Sequence, residues 1–265
     1  MNLQECIKYI KDFLNNNYPN KNLRQQLELF KTYNFAKIGI AEGVHEDSTI
    51  LAKAIYFVLW HDNLPMLNSW SDMGKNYGGE TINTFNSLFQ ESLEGAKIYI
   101  SEDDEDFYSK VCKFNDYYLT IGNFMLLPLG KSNGSTLNTR KGSYNFKYKD
   151  YADLFLFDLF ETSHLDDLKK VNADYFNNLT KEEFFSKNFL MDYYENNHVK
   201  IIFNHDFDKV NEIYYPMYWW KKYKNPKEHS NEYKSFALDY INKASCIIKN
   251  RANIMMEALY SKIID

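Results

Sequence analysis

At 265 residues, 45% of them hydrophobic and 17% aromatic, the chain has the material for a sizeable core, and this excludes a disordered polypeptide. Only 10 Gly and 5 Pro are present, which argues against a turn-dense β-barrel and for a predominantly helical protein. A formal charge of −5 gives no overall pull toward nucleic acid, and three separated cysteines, Cys6, Cys112 and Cys246, exclude a disulfide framework and a thiolate zinc site.

Residues 2 to 15 and 22 to 33 carry apolar positions at helical spacing, with the polar NNNYPNKN between them as a breaker, and predict a helical hairpin within an amino-terminal unit, 1–46. Charged residues among its apolar positions make the first segment an amphipathic helix and not a signal peptide. ILAKAIYFVLWHDNLPMLNSW follows Asp47, Ser48 and Thr49 as capping candidates, stops near Asn63 and Pro65, and predicts a largely buried helix with Trp60 and His61 in core packing. GKNYGGE, 74 to 80, reads as a loop, and TINTFNSLFQESL as a segment that starts as a strand and ends as a helix. AKIYIS alternates as a short strand does, and YYLTIGNFMLLPL has the content of one or two strands around Gly122.

From Tyr151 the pattern is helical again, first in YADLFLFDLFETS and then in TKEEFFSKNFLMDYYENN, where Thr180 and the Glu residues after it form a helix start. KIIFN, 200 to 204, fits either state. The segment from Ser230 is long and amphipathic and is expected to pack across the whole domain. The expectation is a single α+β domain over 1–265, mostly helical, with a small β element near residues 78–128, a central unit 47–160 and carboxy-terminal helices over 161–265. No run approaches the roughly 18 apolar residues of a membrane span, and a cytoplasmic bacterial or phage protein is expected.

Signatures for phosphate-cradling loops, dinucleotide folds, zinc proteases and serine hydrolases are missing, and the six histidines do not pair at ligand spacing on one helix. NHDFD, with Asn204, His205, Asp206 and Asp208, is the nearest ligand-like constellation, and a solvated turn is its plainer reading. EDDED at 102 to 106 is an acidic knot. Residues 131 to 149 hold Lys131, Arg140, Lys141, Lys147 and Lys149 without an acid among them, a face that suits phosphate or simply solvent. YYPMYWWKKYKNPK interleaves Tyr and Trp with Lys221, Lys222, Lys224 and Lys227, which suits base stacking with phosphate contact, a protein interface, or core packing.

LTIGNFMLLP followed by LNTRKG resembles the second half of the HNH, or ββα-metal, nuclease motif, in the version that follows ParB-like nuclease domains in modification-dependent restriction enzymes. The resemblance implies that Asn123 is the Asn of the GN pair, Asn138 the helix-borne Asn that helps hold a divalent ion, and Lys141 the basic residue near phosphate. IIKNRANIMMEAL looks like the "I-x-x-R" helix that closes that domain. Within GGETIN the acid position falls to Glu80 and the neighbouring His position to Thr81, which has no pKa suited to a general base. His45 and His61 are upstream candidates for a replacement. DSTILAKAIYFVLWHDNLP, TINTFNS and the IGNFMLLP and LNTRKG pair are also similar, in order, to a bacterial domain-of-unknown-function family with DSxxL, LWxxxLP and INxxRG segments.

These residues lead to two expectations. The first is a nucleic-acid-binding protein on a degenerate HNH-like scaffold, with Glu80 and Asn138 as the catalytic or metal pair, Mg or Mn as the ion, and Arg140, Lys141, Lys221 and Lys222 as phosphate contacts. If it is an enzyme, it is a metal-dependent nuclease. The second is a protein-interaction module without catalytic activity, in phage–host conflict, that uses the aromatic surface from Tyr214 to Tyr223. The structural alternative stays open for every residue named: Gly122 as a bend between strands, Asn138 as a cap or turn, Arg140 and Lys141 as solvated.

Overall fold

A computed structural model describes residues 1–65, 67–83, 104–129, 151–163, 165–203, 206–208, 213–215 and 230–264; for 206–208, 213–215, 230, 232 and 233 it describes the backbone alone. The expected mostly helical α+β domain is what it shows.

The amino-terminal hairpin is α1 (Leu3–Asn17) and α2 (Leu23–Phe30). Each starts in a capping box: Asn2 and Glu5 exchange side-chain to backbone hydrogen bonds at 2.9 and 2.7 Å, and Asn22 and Gln25 do the same. A short α3 (Ala36–Glu42) ends at Gly43, whose φ of 66° is left-handed, and a 3-10 turn over Glu46–Ser48 leads to α4 (Ile50–Trp60). Thr49 caps α4 by accepting from Ala52 N–H. Every residue of α4 from Leu51 to Trp60 except Lys53 is buried, as a helix apolar on all sides must be. Trp60 closes it by donating from Nε1 to the Lys187 carbonyl at 2.6 Å.

Residues 74 to 80, expected as a loop, are in part a strand. β1 (Tyr77–Thr81) pairs antiparallel with β2 (Phe124–Pro128), with Tyr77 opposite Pro128 and Thr81 opposite Phe124. Gly78 and Gly79 read as a turn because glycine carries no local strand preference; the partner strand supplies the order. Between them α5 (Glu105–Tyr117) starts at Asp104, which caps it by accepting from Phe107 N–H. The acidic knot is thereby explained: Asp104, Glu105 and Asp106 sit at the positive end of a helix, and Lys234 pairs with Asp104. AKIYIS lies outside the described residues.

α6 (Ala152–Phe160), α7 (Asp166–Val171), α8 (Ala173–Phe176) and α9 (Lys181–Lys187) follow. Thr180 and Glu183 form the expected capping box of α9. The helix does not run on through 197 as its composition suggests. Phe189 takes a left-handed φ of 56°, and β3 (Tyr194–Glu195) and β4 (His198–Val199) turn about Asn196 and Asn197, with φ of 51° and 66°. Two consecutive left-handed residues match the twist of a tight hairpin, and Asn tolerates that geometry. KIIFN adopts no regular structure over its described residues, 200–203, and Ile202 and Phe203 N–H donate to Asp153 Oδ2 at 2.9 Å each. β5 (Asp206–Asp208) pairs with β6 (Ile213–Tyr215). The last helix, α10 (Ser230–Ile263), is 34 residues long and touches α2, α4, α5 and the turn before β2. At 1.5 Å per residue it spans about 50 Å, long enough to tie those elements into one core.

No described helix is long and apolar enough to cross a membrane.

Candidate functional site

The β1–β2 pair is the local frame. Alternation along β1 puts Tyr77, Gly79 and Thr81 on one face and Gly78 and Glu80 on the other. Glu80 stands opposite Met125, next to the end of the strand, and is partly exposed. Among the described residues β1 has a single partner strand, so its other edge faces the 3-10 turn at Glu46–Ser48.

That turn brings in an acid the sequence reading treated only as a capping candidate. Asp47 Oδ2 accepts from Thr81 Oγ1 at 3.4 Å, and Oδ1 accepts from Ser48 Oγ at 3.1 Å. The approach is close because Gly79 has no side chain: a Cβ there would lie 2.8 Å from the Asp47 carbonyl carbon and overlap its oxygen. Burial pushes the Asp47 carboxyl above the ordinary aspartate range; the Ser48 hydroxyl, His45 and the Thr81 hydroxyl oppose that rise, and Glu46 adds to it.

Beneath the turn lies Tyr56 of α4, fully buried, with a hydroxyl that has no hydrogen-bond partner. Its phenol is pushed well up, first by burial; the charges that act on it are the carboxylates of Asp47 and Glu80, which raise it, and the Arg251 guanidinium, which opposes them. An orphaned buried hydroxyl beside two carboxylates is the one polar anomaly of this region.

Of the two upstream histidines, His45 stands by Asp47. His61 follows the far end of α4, about 15 Å along the helix axis, where its Nε2 is 2.9 Å from Asp62 Oδ1 and its ring packs 5.4 Å from that of Phe57. His45 is therefore the one the fold brings to the Glu80 strand.

Asn123 is nowhere near a ligand position. It is completely buried; its Oδ1 accepts from Asn83 N–H at 2.9 Å and its Nδ2 donates to the Asn83 and Tyr118 carbonyls at 2.6 and 2.8 Å. Tyr193 donates to Asn83 Oδ1 at 2.8 Å and completes a buried network that clasps the two ends of the excursion from β1 to β2. Arg251, of the I-x-x-R segment, is also wholly buried. It donates to four main-chain carbonyls: Nε to Phe189 at 2.9 Å, Nη1 to Gly122, and Nη2 to Phe124 at 3.0 Å and Asn188 at 3.2 Å. Gly122 is glycine because α10 crosses it: a Cβ would overlap the Ile248 carbonyl oxygen and lie 2.8 Å from Ala252 Cβ.

Asn138, Arg140, Lys141, Lys221 and Lys222 lie outside the described residues, as does the aromatic stretch beyond Tyr215; so do Asn204 and His205 of NHDFD. Asp206 and Asp208 are strand residues of β5. Among the described residues no three acidic, His or Cys side chains gather as metal ligands. Glu80 and Asp47 are the hard oxygen donors, a set that suits Mg²⁺ or Mn²⁺, which bind through one or two carboxylates and keep several waters. Neither Asp47 nor Tyr56 was legible as a site residue, since only the tertiary approach of the 3-10 turn to β1 gives them a role.

No family model, no curated protein and no solved structure matches this chain.

Proposed function

We propose that the chain acts on nucleic acid through an HNH-like ββα scaffold, with Glu80 and Asn138 as its polar pair and Arg140, Lys141, Lys221 and Lys222 as phosphate contacts. The observation that supports this reading is the antiparallel register of β1 and β2. The resemblance requires an acid on one strand beside a second strand that leads into the Asn and the basic residues, and Glu80 stands opposite Met125 in the strand that ends two residues before Gly130. A divalent ion held by Glu80 and Asn138 would supply Lewis-acid polarisation of a phosphate oxygen. The chain's own share is to place the carboxylate on a strand whose register is clasped by Asn123 and Arg251, and to offer guanidinium and ammonium groups to the backbone.

Binding of labelled single- and double-stranded oligonucleotides, followed by anisotropy against salt, tests the reading. Four neutralised phosphates lose roughly 150-fold in affinity between 50 and 200 mM salt, at a slope of about −0.9 per contact. Arg140→Glu with Lys141→Glu should weaken binding and flatten the slope, and plasmid or RNA cleavage in Mg²⁺ or Mn²⁺, with Asn138→Ala and EDTA controls, decides whether binding leads to cutting. Salt-insensitive or undetectable binding refutes the reading and turns attention to a protein partner for the Tyr214–Tyr223 segment.

A further inference from the structure

We propose that Asp47, from outside the motif-bearing segments, joins Glu80 in holding a divalent hard cation at the free edge of β1, beside the hydroxyl of Tyr56. The proposal rests on the reading of Glu80 as a site residue and adds the residue that completes it.

Three observations point there. First, the 3-10 turn at Glu46–Ser48 is seated on β1 by a contact that only glycine at position 79 permits, so Asp47 is delivered to that strand by construction and not by a mobile side chain. Second, its two carboxylate oxygens are oriented by hydroxyls, Ser48 on one and Thr81 on the other; a hydroxyl donor leaves lone pairs on each oxygen for a cation, whereas a Lys or Arg would neutralise the group. Among the described residues no ion pair to Asp47 is formed, and the charged neighbours that act on it are His45 and Glu46. Third, Tyr56 is fully buried with its hydroxyl unmet, and the acids that act on it are Asp47 and Glu80. A buried hydroxyl left without a partner costs about 1–3 kcal/mol, so such a group marks a place where water or a ligand belongs. Two carboxylates of a small oxygen-lined site, one of them desolvated, attract a divalent ion, and the ion's hydration shell offers the hydrogen bond that the phenol lacks. Arg251, the cation nearest in effect, cannot take this role, because its five N–H groups are committed to main-chain carbonyls.

Metal titration of the full chain without nucleic acid tests the proposal. The probes are MnCl₂ and MgCl₂, followed by isothermal titration and by Tm in EDTA against millimolar Mn²⁺. In the wild type Mn²⁺ should bind and raise Tm. Asp47→Asn and Glu80→Gln should each weaken Mn²⁺ binding at least tenfold and remove most of the Tm rise. Tyr56→Phe should fold at least as stably in EDTA, since it deletes the unmet hydroxyl, and should gain less from Mn²⁺ than the wild type does. Absence of Mn²⁺ binding by the wild type, or undiminished binding by a folded Asp47→Asn, overturns the proposal. If Asp47→Asn fails to fold, an undiminished Mn²⁺ response of Tyr56→Phe together with that of Glu80→Gln overturns it instead. Because no nucleic acid is present, Mn²⁺ binding stands or falls separately from the salt-dependent binding described above.

Discussion

Replacing Arg251 by Met tests what holds the β1–β2 frame in place. The guanidinium is fully buried and, among the described residues, has no carboxylate in ion-pair range; its four hydrogen bonds all end on carbonyls, of Gly122, Phe124, Asn188 and Phe189. Burial lowers its pKa to about 10, against the pull of Tyr193, Tyr56 and Asp192, so it stays charged at neutral pH. Met preserves much of the volume but returns none of the donors. Each abandoned carbonyl costs about 1 kcal/mol or more, and relief from burying a charge offsets part of the total. A net loss of about 3–5 kcal/mol follows, a large share of the roughly 5–15 kcal/mol that holds a domain together. At a urea m-value of about 3 kcal/mol/M this is a fall in midpoint of about 1–1.5 M. Arg251→Lys keeps the charge but not the planar fork, and should fall between the two. Equilibrium urea denaturation followed by Trp fluorescence is the assay. An Arg251→Met midpoint within about 0.3 M of the wild type, at unchanged m, refutes the argument that the guanidinium fastens α10 to β2 and the turn after α9.

Gly79→Ala forces the 3-10 turn off β1, so it should destabilise by about 1–3 kcal/mol and weaken any Mn²⁺ binding, both read by thermal melts with and without the ion. Asn123→Asp removes the donors to the Asn83 and Tyr118 carbonyls and buries a charge among them, for a loss of about 2–4 kcal/mol at pH 7 by urea denaturation. Glu161 is desolvated, yet Lys181, Val199 N–H and His198 hold its carboxyl below the ordinary glutamate range. Its contribution is therefore full above the pKa it has in the unfolded chain and is lost as pH falls through the lower folded value. Glu161→Gln should cost about 1 kcal/mol near pH 7 and progressively less toward pH 3, which Tm against pH checks.

The local signals that were legible act within a few residues. Thr49 and Thr180 announce helix starts because a cap needs only its own turn, and the all-apolar ILAKAIYFVLW announces burial because a helix with no polar face has nowhere else to go. β1 was not legible, because two glycines spell a turn locally and the strand exists only through β2, 47 residues along from Gly79 to Leu126. The hairpin about Asn196 and Asn197 did carry a signal, an Asn pair, but Tyr and Glu before it extended the helical pattern over it. Asp47 illustrates the limit: its sequence neighbourhood marks a helix start, and its approach to Thr81 depends on a missing side chain at position 79.

The residues that carry the resemblance divide by what they touch. Asn123, Gly122 and Arg251 are spent on the scaffold: an amide clasping the neck of the excursion, a glycine admitting α10, and a guanidinium fixing β2 from behind. All three act on the register of the second strand. A slip of one residue would turn every side chain of the pair to the opposite face and move Glu80 from one side of β1 to the other. Such investment in register matters little to a sheet of two strands for stability alone, since a few ladder bonds are exchanged for a few others. It matters where a carboxylate must keep a fixed position relative to the chain that leaves β2. Substitutions at Asn123 and Arg251 should therefore change stability and any activity together, whereas substitutions at Glu80 should change activity and leave the folded state intact. That separation follows from where the side chains sit, one set beneath the strands and the other on their partly exposed side.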